Sequence, residues 1–310
     1  KKKMSNRLRL LKEMLIKNIK NSSQVFIIGH NTPDYDAIGA ALGMVTIAQE
    51  LNKDAYIIVN DSQQSLDPGV AKVIEESKED YTFIDLEEYK SLADLDSLLI
   101  AVDVNKKYLT PLQDDLDKVG NIIIPQYYNG KRVTELASSL FMGSKKITNL
   151  WIPEGVEKIG EGCFLSCPNL REVHLPKSLK QVKSEAFSQC KKLKKVYYDG
   201  DLSSWLNIDF DYDSNPCSNL ASLYFKDQLV TEITVPENIK RIKDYAFSGA
   251  TSITSIVLTS VTSIGEEAFS SCRGLKTLSL PECLIEIGEN AFSYCTLLPS
   301  LAIPSQVKVL

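Results

Sequence analysis

Histidine is almost missing from this sequence: two residues, His30 and His174, in a chain of 310. Any metal centre must therefore be built mainly from carboxylates or thiols. Paired cysteines at zinc-type spacing are also missing. The seven cysteines, Cys163, Cys167, Cys190, Cys217, Cys272, Cys283 and Cys295, all lie in the second half, and none forms a C-x-x-C pair, which excludes a zinc ribbon or a paired redox motif. No apolar run is long enough to cross a bilayer; the longest uncharged stretch, Tyr245 to Gly265, is crowded with Ser and Thr. No strong basicity is present. Net charge is -5 and neither half is markedly basic, which argues against a nucleic-acid polymer as partner. An apolar leader with a small-residue cleavage site is also lacking, since the start reads as a charged amphipathic helix, and the expected location is the cytoplasm. There is no Gly/Ser-rich or Pro-rich linker.

What is present divides in two. Apolar residues at Leu8, Leu11, Leu15 and Ile16 predict an amphipathic helix over Ser5–Lys20. Buried strands are expected at 25–28, 55–59, 81–84 and 98–102, with helices over Ala37–Leu51 and Pro68–Ser77. Strands alternating with helices, the strands apolar on both faces, imply a parallel, helix-covered sheet.

Between the first strand and its helix lies Gly29-His-Asn-Thr-Pro-Asp-Tyr-Asp-Ala-Ile-Gly39. A strand, a tight turn and a helix set His30, Asp34 and Asp36 at the carboxyl end of the strand, where open α/β sheets bind ligands. The run 98–102 ends at Asp103 in the same way. Imidazole with carboxylates suits Mn²⁺, Fe²⁺ or Zn²⁺. A shared carboxylate at Asp103 could bridge two metals, the arrangement used in phosphoester hydrolysis. The alternative is structural, with Asp36 a helix cap, Asp34 a turn residue and Asp103 a cap or turn.

This first motif, with Leu99-Ile-Ala-Val-Asp-Val104, resembles the DHH phosphoesterases, and within them the cyclic di-AMP phosphodiesterase branch; the resemblance covers about residues 5–119. It implies Mn²⁺ held by His30, Asp34 and Asp103, with Asp36 and Asp103 contributing to a second ion, and a cyclic dinucleotide as substrate. The resemblance also shows where the chain departs. The family continues with a strand ending Asp-His-His, whereas here Asn121–Ile124 is followed by Pro-Gln-Tyr-Tyr, and Asn105-Lys106 stands where His-Arg is expected. One metal site keeps its ligands, the second is incomplete, and hydrolysis is expected to be impaired or lost.

The second half is periodic. Pro153 and Pro176 are 23 residues apart, as are Pro281 and Pro304, and Phe164, Phe187 and Phe292 each follow a proline by 11. A period in this range with regular leucines marks a solenoid, one strand plus a turn or short helix per coil. Cys167, Cys190, Cys272 and Cys295 share one position that Ala250 also fills, so that site asks for a small buried residue. An irregular insertion falls near 200–230. Its Asp209-Phe-Asp-Tyr-Asp213 lacks the Gly and the twelfth-position Glu of a calcium loop, and the alternation of Ile208, Phe210 and Tyr212 predicts a plain strand. Ala268-Phe-Ser-Ser-Cys272 and Ala291-Phe-Ser-Tyr-Cys295 resemble BspA-like leucine-rich repeats over about 121–310, which implies protein or host binding rather than catalysis. The expected architecture is thus α/β, a truncated DHH-type domain at 1–119 followed by a leucine-rich-repeat solenoid at 120–310. Its function is either an impaired cyclic-dinucleotide phosphodiesterase fused to a protein-binding array, or a non-catalytic binding or adhesion protein with a degenerate first domain.

Overall fold

The computed structural model describes residues 6–29, 34–59, 67–94, 96–102, 120–124, 127–128 and 131–309. The chain forms two compact units, Lys1–Val133 and Thr134–Leu310.

In the first unit the elements run α1 (Asn6–Asn21), β1 (Val25–Ile28), α2 (Tyr35–Glu50), β2 (Ala55–Ile58), α3 (Pro68–Ser77), β3 (Thr82–Ile84), α4 (Leu86–Leu92), β4 (Leu98–Ala101) and β5 (Asn121–Ile123). The five strands are parallel in the order β5-β4-β1-β2-β3. Val25 and Ile27 turn to one face, where Ile19 of α1 and Ala41, Val45 and Ala48 of α2 cover them. Phe26 turns to the other and meets Tyr89 of α4 edge-on, ring centroids 5.0 Å apart. Burial on both faces is why these strands read as unbroken apolar runs. Pairing of β5 with β4 (Leu98↔Asn121, Ile100↔Ile123) puts Asn121–Ile123 inside the first unit, beyond the boundary at 119 that the repeat grammar suggests.

Two details differ from the sequence reading. Helix α2 begins at Tyr35 rather than Ala37, because Asp34 caps it: the amide of Ala37 donates to Asp34 Oδ1 at 3.0 Å. Helix α4 was not expected. A reciprocal capping box starts it, with Glu88 N–H to Asp85 Oδ1 at 2.8 Å and Asp85 N–H to Glu88 Oε2 at 3.0 Å.

Coils of the second unit carry two short strands and a tight turn; among the described residues of this unit a helix appears only in the insertion. Longer strands stack in parallel as Asn149–Trp151, Glu172–Leu175, Lys195–Tyr198 and Ser222–Phe225, closed by antiparallel Gln228–Leu229. Two-residue strands form the opposite ladder, Glu135–Leu136, Lys158–Ile159, Gln181–Val182 and Asp209–Phe210. After the insertion the pattern resumes with Glu232–Val235, Ser255–Leu258 and Thr277–Ser279. Phenylalanine rings fill the interior as stacks: Phe141, Phe164 and Phe187 at 5.3 and 5.1 Å, then Phe247, Phe269 and Phe292 at 5.5 and 5.6 Å.

Between the two stacks the insertion is packed core. Asp201 caps the helix Leu202–Trp205. Buried Trp205 meets Tyr198 and Phe210 and donates its indole N–H to the Ala246 carbonyl at 2.9 Å. Asn215, fully buried, donates to the carbonyls of Tyr245 and Ala246. The strand expected through Tyr212 stops at Phe210. Asp213 takes φ 47, which turns the chain and leaves Tyr212 62% exposed.

Candidate functional site

Sheet order places the first site. From β1 the chain winds to β2 and β3 on one side, then returns to β4 and β5 on the other, so the order reverses between β1 and β4. A crevice opens at such a switch point, outside the carboxyl ends of the two strands. The two ends are joined there, Val102 N–H donating to the Ile28 carbonyl at 2.8 Å. Gly29 runs on between the start of α2 and the end of β4; a Cβ on it would lie 3.6 Å from Ala37 Cβ and 3.9 Å from the Val102 carbonyl.

Of the four candidate ligands, Asp34 and Asp36 are described, and His30 and Asp103 lie outside the described residues. Asp34 and Asp36 are both exposed at the first turn of α2. The structural role assigned to Asp36 belongs to Asp34, whose Oδ1 serves the cap, while Oδ2 accepts no hydrogen bond among the described residues. Asp36 sits in the helix's first turn, where a negative charge is favoured by the helix dipole. Tyr35 lies between two helix starts, its hydroxyl in the space a Cβ on Gly69 would need. In donor chemistry the set fits one divalent ion: two carboxylates at the turn after β1, with an imidazole and a third carboxylate adjoining the described ends of β1 and β4 in sequence.

The acidic run of the insertion is no cation site. Asp209 is held by Lys243 at 2.6 Å and Asp211 by Lys183 at 3.2 Å, so ammonium groups already neutralise both carboxylates.

On the solenoid, the outward positions of the longer strands bring together residues that sequence reasoning had not grouped. Trp151, His174, Tyr197 and Tyr224 stand side by side in register. Their rings stack at 5.0, 4.4 and 4.6 Å. Beside them Lys195 bonds to Glu172 at 2.7 Å. The spacing of 23 between Trp151, His174 and Tyr197 was the available signal. Only the insertion, which delays Tyr224, hid the fourth member.

Comparison with known proteins follows the same division. Residues 24–125 match the N-terminal domain of the DHH family. Residues 117–217 and 218–310 match the BspA type leucine rich repeat region, in six copies. Over 126 residues the chain is 32% identical to the cyclic-di-AMP phosphodiesterase GdpP of Bacillus subtilis and 30% identical to the cyclic-di-AMP phosphodiesterase PdeA of Listeria monocytogenes. Each match takes in 39% of this chain and 19% of the relative, so the chain spans about a fifth of the length of these proteins. Among solved structures, a leucine-rich repeat protein from Bacteroides ovatus is similar at 27% identity, over 60% of this chain and 46% of that one, with a TM-score of 0.39. With the repeats matched over more than half its length, the chain belongs to the BspA type leucine-rich repeat family, and a DHH domain related to the cyclic-di-AMP phosphodiesterases is fused ahead of them.

Proposed function

We propose that the first unit is a metal-dependent phosphodiesterase module of the cyclic di-AMP class, retained in impaired form and joined to repeats that bind a protein partner. The observation that supports it is the reversal of strand order between β1 and β4, with Asp34 and Asp36 exposed at the start of the helix that follows β1. His30, Asp34 and Asp103 would hold one Mn²⁺, and Asp36 with Asp103 part of a second. A divalent ion so held supplies a water of lowered pKa as nucleophile at neutral pH. The chain's own part is to fix carboxylates at the mouth of the crevice. Asp34 is immobilised by its hydrogen bond to Ala37, which reduces the entropy lost when a ligand set closes. Four acidic or imidazole donors suffice for one ion and leave two short of ligands. Without the Asp-His-His strand end, the clamp on attacking and leaving oxygens is half built. That is the reason for impairment.

The test is hydrolysis of cyclic di-AMP and of the linear dinucleotide by the purified chain with added Mn²⁺, beside Asp103→Ala. Slow turnover that the variant abolishes supports the reading. No turnover and no Mn²⁺-dependent rise in melting temperature would remove it, and the first unit would then be an accessory to the binding array.

A further inference from the structure

Charge on the second unit is distributed unevenly round the coil. On the ladder of two-residue strands four cations have a carboxylate on a neighbouring coil: Lys158 with Glu135, Lys180 with Glu157, Lys183 with Asp211 and Lys243 with Asp209, at 2.6 to 3.2 Å. The loop that leads into the longer strands is different. At 23-residue steps one position holds Lys145, Pro168 and Lys191, the next Lys146, Asn169 and Lys192, and a third Thr148, Arg171 and Lys194. No carboxylate occupies any of them. Hydrogen bonds fix the register: Arg171 N–H to the Thr148 carbonyl at 2.7 Å, and Lys194 N–H to the Arg171 carbonyl at 2.9 Å. Lys192 and Lys194 meet only neutral oxygens, Asn169 Oδ1 at 2.7 Å and the Asn219 carbonyl at 3.3 Å. Arg171 and Lys191 are exposed and form no ion pair among the described residues. In a chain of net charge -5, like charges gathered on one edge raise each other's energy unless an anion joins them.

This edge adjoins the ladder of Trp151, His174, Tyr197 and Tyr224 on the same strands. The rings of His174 and Tyr197 are stacked on both faces, so in the middle of the ladder only edges are offered. Nucleic-acid bases need free ring faces to stack on, and phosphates are read best by forked guanidinium groups. Here the cations are lysines but for Arg171. Coils stacked at strand spacing, about 4.8 Å, set the three-coil edge at roughly 10 Å across. That matches about three residues of extended chain, not a long polymer.

We propose that this edge docks a short acidic segment of a partner protein. Its carboxylates lie against Arg171, Lys191, Lys192 and Lys194, and its neighbouring apolar side chains lie along the half-buried ring edges of His174, Tyr197 and Tyr224. The inference deepens the binding role proposed for the repeats and is independent of hydrolysis by the first unit.

Fluorescence anisotropy of the full chain tests it, with a labelled peptide of alternating Glu and Phe, the same peptide with Gln for Glu, and a ten-residue oligothymidylate, each at 50 and 200 mM salt. The acidic peptide is expected to bind saturably and to weaken with salt. Lys191→Glu/Lys192→Glu/Lys194→Glu should lower its affinity at least tenfold. Lys177→Glu/Lys240→Glu/Lys308→Glu, reversing three exposed lysines elsewhere, should leave it within twofold. Should the first triple variant melt early, Arg171→Gln/Lys191→Gln replaces it, with about a threefold loss expected. Absence of saturable binding, equal loss in both triple variants, or oligothymidylate binding as tightly as the peptide would each overturn the proposal.

Discussion

Asn219 Nδ2 donates to the carbonyl of Phe187 at 2.8 Å. In four other coils a cysteine thiol makes the equivalent bond to the phenylalanine of the preceding coil: Cys167 to Phe141, Cys190 to Phe164 and Cys272 to Phe247 at 3.1 Å, and Cys295 to Phe269 at 3.2 Å. The cysteine column therefore supplies a donor as well as a small buried side chain. At the tight turn a backbone amide reaches the same carbonyl, as Cys190 N–H reaches Phe187 at 3.4 Å and Ala250 N–H reaches Phe247 at 3.0 Å, and the side chain serves the second lone pair. Where the insertion breaks the period, an amide from the 3-10 turn Pro216–Asn219 supplies the donor instead.

Replacing Asn219 by Ala leaves the Phe187 carbonyl without its side-chain donor, and the expected loss is about 1–3 kcal/mol. Cys272→Ala should cost less, about 1 kcal/mol, since a thiol is a weak donor. Urea unfolding of the two variants beside the parent measures the order. Equal midpoints for Asn219→Ala and the parent would show that the bond does not contribute to stability.

The thiols carry a second expectation. Burial pushes the thiols of Cys163, Cys217 and Cys272 well above the ordinary value near 9. The folded chain thus keeps protons that the unfolded chain loses, so this contribution is complete below pH 9 and declines as pH rises further. Unfolding midpoints should fall between pH 8 and pH 10, and less steeply in Cys217→Ala. At pH 8 a thiol-specific reagent should modify exposed Cys283 first and Cys295 slowly. The five buried cysteines should stay unreacted until the chain is denatured.

Much of this was legible in the sequence where one period dominates. Strands β1, β2 and β4 show as apolar runs because both their faces are covered. Coils show because the stacked phenylalanines recur at 22 or 23 residues. Helix α4 escaped because only Leu86, Tyr89 and Leu92 in its seven residues are apolar, too few for a period, although its Asp85-x-x-Glu88 box stood in plain view. Tyr212 was misassigned because alternation of side chains cannot reveal a left-handed residue such as Asp213. At the candidate site the residue types were legible, but the cap made by Asp34 was not. A cap and a ligand ask for the same side chain at the same place.

Glycines separate packing from propensity. A Cβ on Gly160 would lie 2.5 Å from the Ser138 amide and 2.7 Å from the Ala137 carbonyl carbon, both backbone atoms of the preceding coil. Gly160→Ala must push two coils apart, and a loss of about 2–3 kcal/mol is expected. Gly43, in the exposed middle of α2, has nothing within 4 Å of its Cβ position. Gly43→Ala should stabilise by about 0.5–1 kcal/mol. Thermal melts that moved in the same direction for both would contradict the close coil contact.

Asp34 distinguishes a cap from a metal ligand. Asparagine caps a helix nearly as well as aspartate but brings no negative charge to a cation. Asp34→Ala removes the acceptor for the Ala37 amide and should cost about 1 kcal/mol without metal. Asp34→Asn should cost no more than a few tenths. With saturating Mn²⁺ the parent gains stability in proportion to the logarithm of ion concentration, and both variants should lose most of that gain. The informative comparison is Asp34→Asn with and without the ion. A variant that melts like the parent in chelator but no longer responds to Mn²⁺ identifies the carboxylate as a ligand. One that responds as the parent does would leave Asp34 with the helix start alone and transfer the metal reading to His30, Asp36 and Asp103.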